Sequence, residues 1–169
     1  MLHIFVEGPD DERFFSKVYG NCFGDYKPLQ YAGWTPSKIN NFIRSISCMP
    51  ESDYIFFGDA DGKSIDEKKN QLINRYSALD GNKVFIVQYE IESWYYAGAS
   101  MGVCQKLKLK QYCHNTDGLR KESFNAKLPQ KADRKFIMAS LLELYELELA
   151  VSRNTSLSLF NAHIKKEPA

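Results

Sequence analysis

Two aspartates, Asp59 and Asp61, follow an apolar run at residues 55–57, and a glycine, Gly62, closes the segment. The run is short enough to form a buried strand. In an extended backbone, residues i and i+2 point to the same side, with Cα atoms about 6.5–7 Å apart. Two like charges this close repel each other unless a cation lies between them, and Mg²⁺ prefers oxygen ligands. The spacing therefore indicates a divalent-metal site. The alternative is a polar turn in which an aspartate caps the next helix.

Acidic side chains also follow two other apolar strands. Glu7 follows Leu2–Val6, and Glu90 and Glu92 follow Val84–Val87. Strands that alternate with helical patterns indicate a parallel sheet, and the carboxyl ends of parallel strands lie at one edge. We therefore expect these acids to gather around one or two Mg²⁺ or Mn²⁺ ions, because several carboxylates that converge without a cation would repel one another.

The elements that position these acids are predicted from apolar periodicity and from capping residues. Strands are expected at 2–6, 29–32, 54–57 and 84–87, and helices begin near residues 10, 35, 64 and 90, with later helices at 136–149 and 157–164. The pattern predicts a parallel, four-stranded α/β core. A core at 1–98 is expected to be followed by a basic connecting segment and C-terminal helices at 99–169 that pack on it.

The order of these motifs resembles the Toprim domain. Glu7-Gly8-x-x-Asp11 follows a first strand, and Asp59-x-Asp61-Gly62 follows a later one. That domain is shared by type IA and type II topoisomerases, bacterial primases, small ribosomal-RNA maturases and OLD-type (overcoming lysogenization defect) nucleases. The segment 90–94 is similar to the acidic segment after the fourth strand in the OLD-type proteins. The resemblance covers residues 1–97 and implies a Toprim-like (Rossmann-like) sheet flanked by helices, with a C-terminal helical extension.

The same resemblance implies roles for individual residues. It implies that Glu7 is an acid/base or a metal ligand, and that Asp59 and Asp61 bind a divalent metal. It implies that Asp11, Glu92 and Glu90 bind a second metal ion. The function it implies is that of a metal-dependent nuclease in phage defence or DNA repair. A nuclease site also needs a positively charged side chain, and the candidates are Lys63, Lys135 and Arg153. For each of them the alternative is an ordinary charged residue in contact with solvent. The full-length OLD nucleases carry an ATPase segment that has no counterpart in these residues, so the resemblance does not imply ATP-regulated activity. A homo-oligomer or a partner ATPase subunit is expected.

The charge of the chain is unevenly distributed. Residues 1–100 hold 14 acidic and 10 basic side chains, a net of −4, whereas residues 105–135 hold 3 and 9, a net of +6. A basic stretch can follow a phosphate backbone, and aromatic side chains such as Tyr112 or Phe124 can stack on bases. The predicted nucleic-acid contacts are Lys106, Lys108, Lys110 and Lys135. A solvated surface loop is the alternative explanation.

Two other functions are compatible with these motifs. Asp-x-Asp-Gly after an apolar strand also begins haloacid-dehalogenase phosphatases, although Lys63 stands where those enzymes have threonine. A non-catalytic Toprim module in a larger assembly is the third possibility. An EF-hand is excluded because Gly62 falls at the fourth loop position rather than the sixth. The early acids 7–12 argue against a signal peptide, and the four cysteines form no Cys-x-x-Cys pair, so a cytoplasmic location without a membrane span is expected.

Overall fold

A computed structural model describes residues 1–110 and 113–166 of the chain. Its sheet has four strands in the order β2-β1-β3-β4, and every neighbouring pair is parallel. The strands are β1 Leu2–Val6, β2 Tyr26–Gln30, β3 Asp53–Asp59 and β4 Val84–Val87. The predicted four-stranded parallel sheet flanked by helices is therefore confirmed. The second strand begins and ends earlier than the predicted 29–32, and this shift matters for the site.

The helices of the described chain follow and flank these strands. They are α1 Pro9–Val18, α2 Pro36–Ser47, α3 Ile65–Arg75, α4 Glu92–Ala97, α5 Met101–Lys106, α6 Lys121–Lys127, α7 Arg134–Glu143, α8 Leu147–Arg153 and α9 Thr155–Lys166. Local sequence explains several starts: Thr35 caps α2 before Pro36, and Ser64 and Glu67 form a reciprocal capping box at α3. Within residues 1–110 and 113–166, none of the helices has both the length and the apolar character needed to cross a membrane.

The chain divides into two compact units, Met1–Val87 and a second that begins at Gln88. The first contains the sheet with α1, α2 and α3, and the second contains α4 to α9. The two units are defined by how compactly their residues pack, and this does not test the domain boundary expected after residue 98. That boundary stays a prediction.

The core of the first unit is built on aromatic and branched side chains of the central strands. Phe5 of β1 stacks on Phe56 of β3, with ring centroids 5.4 Å apart. The predicted apolar stripe of α2 packs on this cluster through the fully buried Ile39 and Ile43 and the partly buried Phe42. Burial of a large apolar side chain contributes about 1.5–3 kcal/mol. The core therefore holds β1 and β3 together as a rigid base for the side chains at their carboxyl ends.

The second unit corrects one element prediction. The helix expected over 136–149 is two helices, α7 and α8, separated by residues 144–146. The break is fixed by contacts with the end of α4: the Tyr145 hydroxyl donates to the carbonyl of Trp94 at 2.8 Å, and the Glu146 amide donates to that of Gly98 at 3.2 Å. The leucines in this stretch exceed one helical stripe because they are divided between α7, the break and α8.

Gly98 is expected to be one of the least replaceable residues of the second unit. A Cβ atom there would lie 2.3–2.7 Å from three carbons of the Tyr145 ring. Gly98→Ala should therefore destabilise the protein by about 1–3 kcal/mol or more through overpacking. The measurement is the midpoint of urea unfolding.

Gly102→Ala is the matched control, because a Cβ atom at Gly102 in α5 would have no heavy atom within 4 Å. Alanine is favoured over glycine in a helix by about 0.5–1 kcal/mol, so this variant should be as stable as the parent or more stable. Equal midpoints for Gly98→Ala and the parent would show that Tyr145 can move aside without cost.

Candidate functional site

Two acidic residues, Glu7 and Asp59, meet at the carboxyl edge of the sheet. Glu7 directly follows β1, Asp59 is the last residue of β3, and these strands pair with Phe5 opposite Phe56. The backbone amide of Asp59 donates to the Glu7 Oε1 atom at 3.2 Å. The structure thus brings Glu7 and Asp59 together, as the parallel order of their strands predicts.

Tyr31 is a third member of this edge that the sequence pattern did not identify. Its hydroxyl lies 2.7 Å from the carbonyl oxygen of Phe57 and 3.2 Å from Glu7 Oε1, and it can donate to either. Burial raises the pKa of Tyr31 far above its usual value, and the negative charge of Glu7 acts in the same direction. The phenol therefore stays neutral and can serve as a hydrogen-bond donor to Glu7 at all ordinary pH values.

The position of Tyr31 was available from the sequence once the second strand was placed correctly. Residues 29–32 were predicted as strand, which puts Tyr31 inside the element. In the structure β2 ends at Gln30, so Tyr31 directly follows β2 as Glu7 directly follows β1. The sequence feature that identifies both residues is therefore a polar side chain directly after a strand, whether or not it is a carboxylate.

Gly58 lets these groups approach one another. A Cβ atom at this position would lie 2.7 Å from Leu72 Cδ1, 3.6 Å from the Tyr31 hydroxyl and 3.8 Å from Glu7 Oε1. A Cβ atom here would displace the Leu72 side chain and would lie in ordinary van der Waals contact with the two polar groups. The glycine before Asp59 is therefore required by packing on the face that bears Glu7 and Tyr31.

Asp61 is placed differently from the extended geometry that the sequence suggested. The strand ends at Asp59, and Asp61 lies in the following turn with a positive φ of 52°. Its carboxylate forms an ion pair with Lys68 of α3. The assumption that Asp59 and Asp61 project side by side from one strand is wrong, because the chain leaves the sheet between them. A metal-binding role for Asp61 stays a prediction.

Lys68 is the second residue of this region that the sequence pattern missed. Its side chain is only 10% exposed, whereas that of its partner Asp61 is 57% exposed. The predicted cation, Lys63, instead donates to the Gln71 Oε1 atom at 2.6 Å in an exposed position. The motif could not identify Lys68, because this residue lies seven residues after Asp61. The two side chains meet only because of the direction in which α3 runs.

Asp11 has a local role in the structure. Its Oδ2 atom accepts a hydrogen bond from the Gly8 amide at 3.0 Å, at the beginning of α1, and the residue is buried. A carboxylate at this position satisfies an amide that lacks a helical partner and interacts favourably with the helix dipole. The second-metal role that the resemblance implies for Asp11 stays a prediction.

The acids after β4 lie in the second unit, and each has a partner there. Glu92 is buried and forms an ion pair with Arg134, and the Lys121 amide donates to the Glu90 Oε2 atom at 2.6 Å. Burial raises the pKa of Glu92, although Arg134 opposes this shift. These contacts tie the segment after β4 to α6 and α7. Metal ligation by Glu90 and Glu92 stays a prediction.

The basic side chains predicted to act on nucleic acid separate into two groups. Lys106, Lys108, Lys110 and Lys135 are exposed, as a phosphate-binding surface requires. Arg153 is buried, and its Nη1 atom donates to the carbonyl oxygens of Ala97 and Ala99 at 3.2 and 2.8 Å. These contacts stabilise the end of α4. A catalytic role for Arg153 stays a prediction.

The two aromatic residues proposed to stack on bases have different outcomes. Phe124 is fully buried beneath the guanidinium of Arg134, so its ring is closed to a nucleobase and that expectation is wrong. The reason is that Phe124 lies on the buried side of the short helix α6, which the basic composition of the segment concealed. Tyr112 lies outside the described residues.

The donor set at the sheet edge suits one kind of metal site. Across residues 1–110 and 113–166, no group of three or more His, Cys, Asp or Glu side chains is arranged to hold a metal ion. Mg²⁺ commonly binds through one or two carboxylates and keeps several waters, which substrate phosphates can replace. Glu7 and Asp59 fit such an open site because both are oxygen donors on adjacent strands, and they do not fit a closed structural site.

Comparisons with known proteins add one structural likeness. No family model matches this chain, and no curated protein matches it. A solved structure of the C-terminal region of the Xanthomonas campestris pv. campestris OLD protein is similar to it, with 17% sequence identity and a TM-score of 0.43. That alignment covers 98% of this chain and 94% of the other. A likeness of this size does not establish a family.

Proposed function

We propose that this protein is a divalent-metal-dependent nuclease of the Toprim type that hydrolyses phosphodiester bonds of DNA or RNA. The observation that supports this function best is the meeting of Glu7 and Asp59 at the carboxyl edge of a parallel sheet, 3.2 Å between Glu7 Oε1 and the Asp59 amide. Ligand sites of open α/β sheets lie at this edge. The motifs at Glu7 and Asp59 are also those that resemble the Toprim domain, and the segment 90–94 is the one that resembles the OLD-type nucleases.

The residues at the edge have separable roles in this proposal. Asp59 and Glu7 would hold a Mg²⁺ or Mn²⁺ ion, and such an ion would supply charge neutralisation at the phosphate and activation of an attacking water. Glu7 also accepts or returns a proton, and Tyr31 fixes the orientation of its carboxylate through Oε1. The rigid strands β1 and β3 supply the positioning that phosphoryl chemistry depends on.

Lys68 and Asp61 complete the electrostatics of the proposed site. Lys68 is nearly buried and pairs with Asp61, so its ammonium group is held in one place. The positive charge of Lys68 offsets the negative charge of Asp61, so this pair adds no net repulsion for an incoming phosphate. In this scheme Lys68 takes the place that the sequence prediction gave to Lys63.

The proposal is tested with the pure protein on single-stranded and duplex DNA and RNA, with Mg²⁺, Mn²⁺ or EDTA. Metal-dependent cleavage that EDTA abolishes is expected. Hydrolysis of a small phosphate ester with intact nucleic acid would favour a phosphatase of the haloacid-dehalogenase kind. Metal binding without turnover of either substrate would favour a non-catalytic module, and both of these results would overturn the nuclease.

The exposed lysines of the basic segment are proposed to bind the phosphate backbone. Replacing Lys106, Lys108 and Lys110 together by alanine should weaken nucleic-acid binding and flatten its dependence on salt. Each phosphate contact contributes about 0.7–0.9 to the log–log salt slope, so three contacts predict a loss of about two to three units. The measurement is fluorescence anisotropy of a labelled oligonucleotide over a range of salt concentrations.

Metal affinity serves as the internal control for the triple variant. These lysines are not proposed ligands, so Mn²⁺ should bind the variant and the parent equally. A variant that retains the parental affinity for nucleic acid and the parental salt slope would show that these lysines are only a solvated face.

A further inference from the structure

A cleft in the second unit shares one lysine, Lys110, with the nucleic-acid contacts proposed above and uses none of the residues at the sheet edge. It has a volume of about 750 Å³ and is lined by side chains from the segment that includes α6, among them Lys110, Asn115, Leu119, Ser123 and Lys127. Pockets that bind small ligands commonly have volumes of roughly 300–1,000 Å³. The cleft is therefore large enough for a nucleotide, and its lining combines cationic, polar and apolar groups.

A backbone hydrogen bond brings the two lysine residues of the cleft together. The Lys110 amide donates to the Lys127 carbonyl oxygen at 2.8 Å. Lys127 is only 8% exposed, and its ammonium lies 5.7 Å from the centroid of the Tyr96 ring. Lysine is seldom buried to this degree, because its charge must be compensated. Lys110 adds an exposed ammonium group to the same lining, and two positive charges suit a ligand with more than one negative charge.

The described lining as a whole favours the same chemistry. It contains the two ammonium groups of the lysines and no carboxylate. Asp117 is close in sequence, but its carboxylate accepts hydrogen bonds from the amide and hydroxyl of Thr155 at 2.7 and 2.6 Å. Ser123 offers a hydroxyl, and Leu119 offers apolar surface for a base or a sugar. The lining thus combines cationic, polar and apolar groups.

From these features we infer that the cleft binds a phosphate monoester attached to a nucleoside, with Lys110 and Lys127 on the phosphate. Such a phosphate belongs to a free mononucleotide or to the phosphorylated end of a nucleic-acid strand, and both present the same dianion. This site uses none of the edge residues of the first unit. Its ligand binding does not require a divalent metal.

The test is calorimetry with adenosine 5′-monophosphate, with adenosine, and with one oligonucleotide that carries either a 5′-phosphate or a 5′-hydroxyl, all in EDTA. The monophosphate or the 5′-phosphorylated strand should bind better than its unphosphorylated counterpart. Binding of the free monophosphate identifies a mononucleotide site, and binding of the strand alone identifies a strand-end site. EDTA separates this result from the metal-dependent nuclease, so either proposal can fail without the other.

Lys110→Ala should weaken this binding about tenfold or more, because hydrogen bonds to charged groups are among the strong ones. Lys110 is exposed, so the variant is expected to fold. Lys127→Met is the second variant, and its thermal unfolding is measured first because Lys127 is nearly buried. Lys165→Ala, an exposed lysine that does not line the cleft, is the matched control and should bind as the parent does. Equal binding with and without the phosphate, or equal affinity in the parent and Lys110→Ala, would overturn the inference.

Discussion

Replacing Glu7 by glutamine is expected to lower the rate of nucleic-acid cleavage by about 10²–10⁴-fold, the usual contribution of a general acid or base. Glutamine has nearly the same shape as glutamate, and its carbonyl oxygen can still accept from the Asp59 amide and the Tyr31 hydroxyl. The fold should therefore survive, whereas the negative charge and the proton-accepting group are lost. The measurement is the single-turnover cleavage rate at saturating Mn²⁺, together with the midpoint of thermal unfolding.

Glu12→Gln is the matched control for this variant. Glu12 lies on α1, and its Oε2 atom accepts a hydrogen bond from the Gln30 side chain at 2.6 Å in an exposed position. The same chemical change at Glu12 removes a charge near the site without touching the proposed machinery, so cleavage should stay within about threefold of the parent, as for most surface substitutions. A folded Glu7→Gln variant that cleaves as fast as Glu12→Gln would remove Glu7 from the mechanism.

Replacing Arg153 by methionine is expected to destabilise the protein by about 2–4 kcal/mol, because the guanidinium donates two hydrogen bonds inside the second unit. Those bonds reach the carbonyl oxygens of Ala97 and Ala99, which follow one another closely at the end of α4. Methionine keeps the apolar stem and removes the donors, so the two carbonyls lose charged partners in a buried place. Urea unfolding measures the effect.

Arg44→Met provides the comparison, since Arg44 is exposed on α2 and contacts the Asn41 side chain at 3.5 Å. Its stability should change by less than about 0.5 kcal/mol. If Arg153→Met kept the parental stability and lost cleavage, the catalytic role predicted from the sequence would be supported and the structural one rejected.

The sheet could be predicted from the sequence because each buried parallel strand is a short continuous run of apolar residues. An apolar run followed by acids marked β1, β3 and β4, and the parallel order then required Glu7 and Asp59 to meet. The same reasoning failed for β2, whose sequence Tyr-Lys-Pro-Leu-Gln lacks an apolar run. Because the end of that strand was misplaced, Tyr31 was missed although it occupies an equivalent position at the edge.

The parts that could not be predicted depend on tertiary contacts. Lys68 pairs with Asp61 only because α3 returns along the sheet, and nothing in the spacing of the two residues records this. The leucine-rich stretch reads as one helix, and it breaks where Tyr145 reaches the end of α4. The basic composition of residues 105–135 likewise concealed a buried phenylalanine, Phe124, and a nearly buried lysine, Lys127.

The measurement that tests the metal site most directly is calorimetric titration of Mn²⁺ into the parent and into Asp59→Asn. An amide keeps the shape of the side chain and removes the charge that a hard cation requires, so affinity should fall at least tenfold while the thermal unfolding midpoint stays close to that of the parent. Asp25→Asn, an exposed aspartate outside the edge, should bind Mn²⁺ as the parent does. Equal Mn²⁺ affinity in the parent and in folded Asp59→Asn would contradict a metal centre at Glu7 and Asp59.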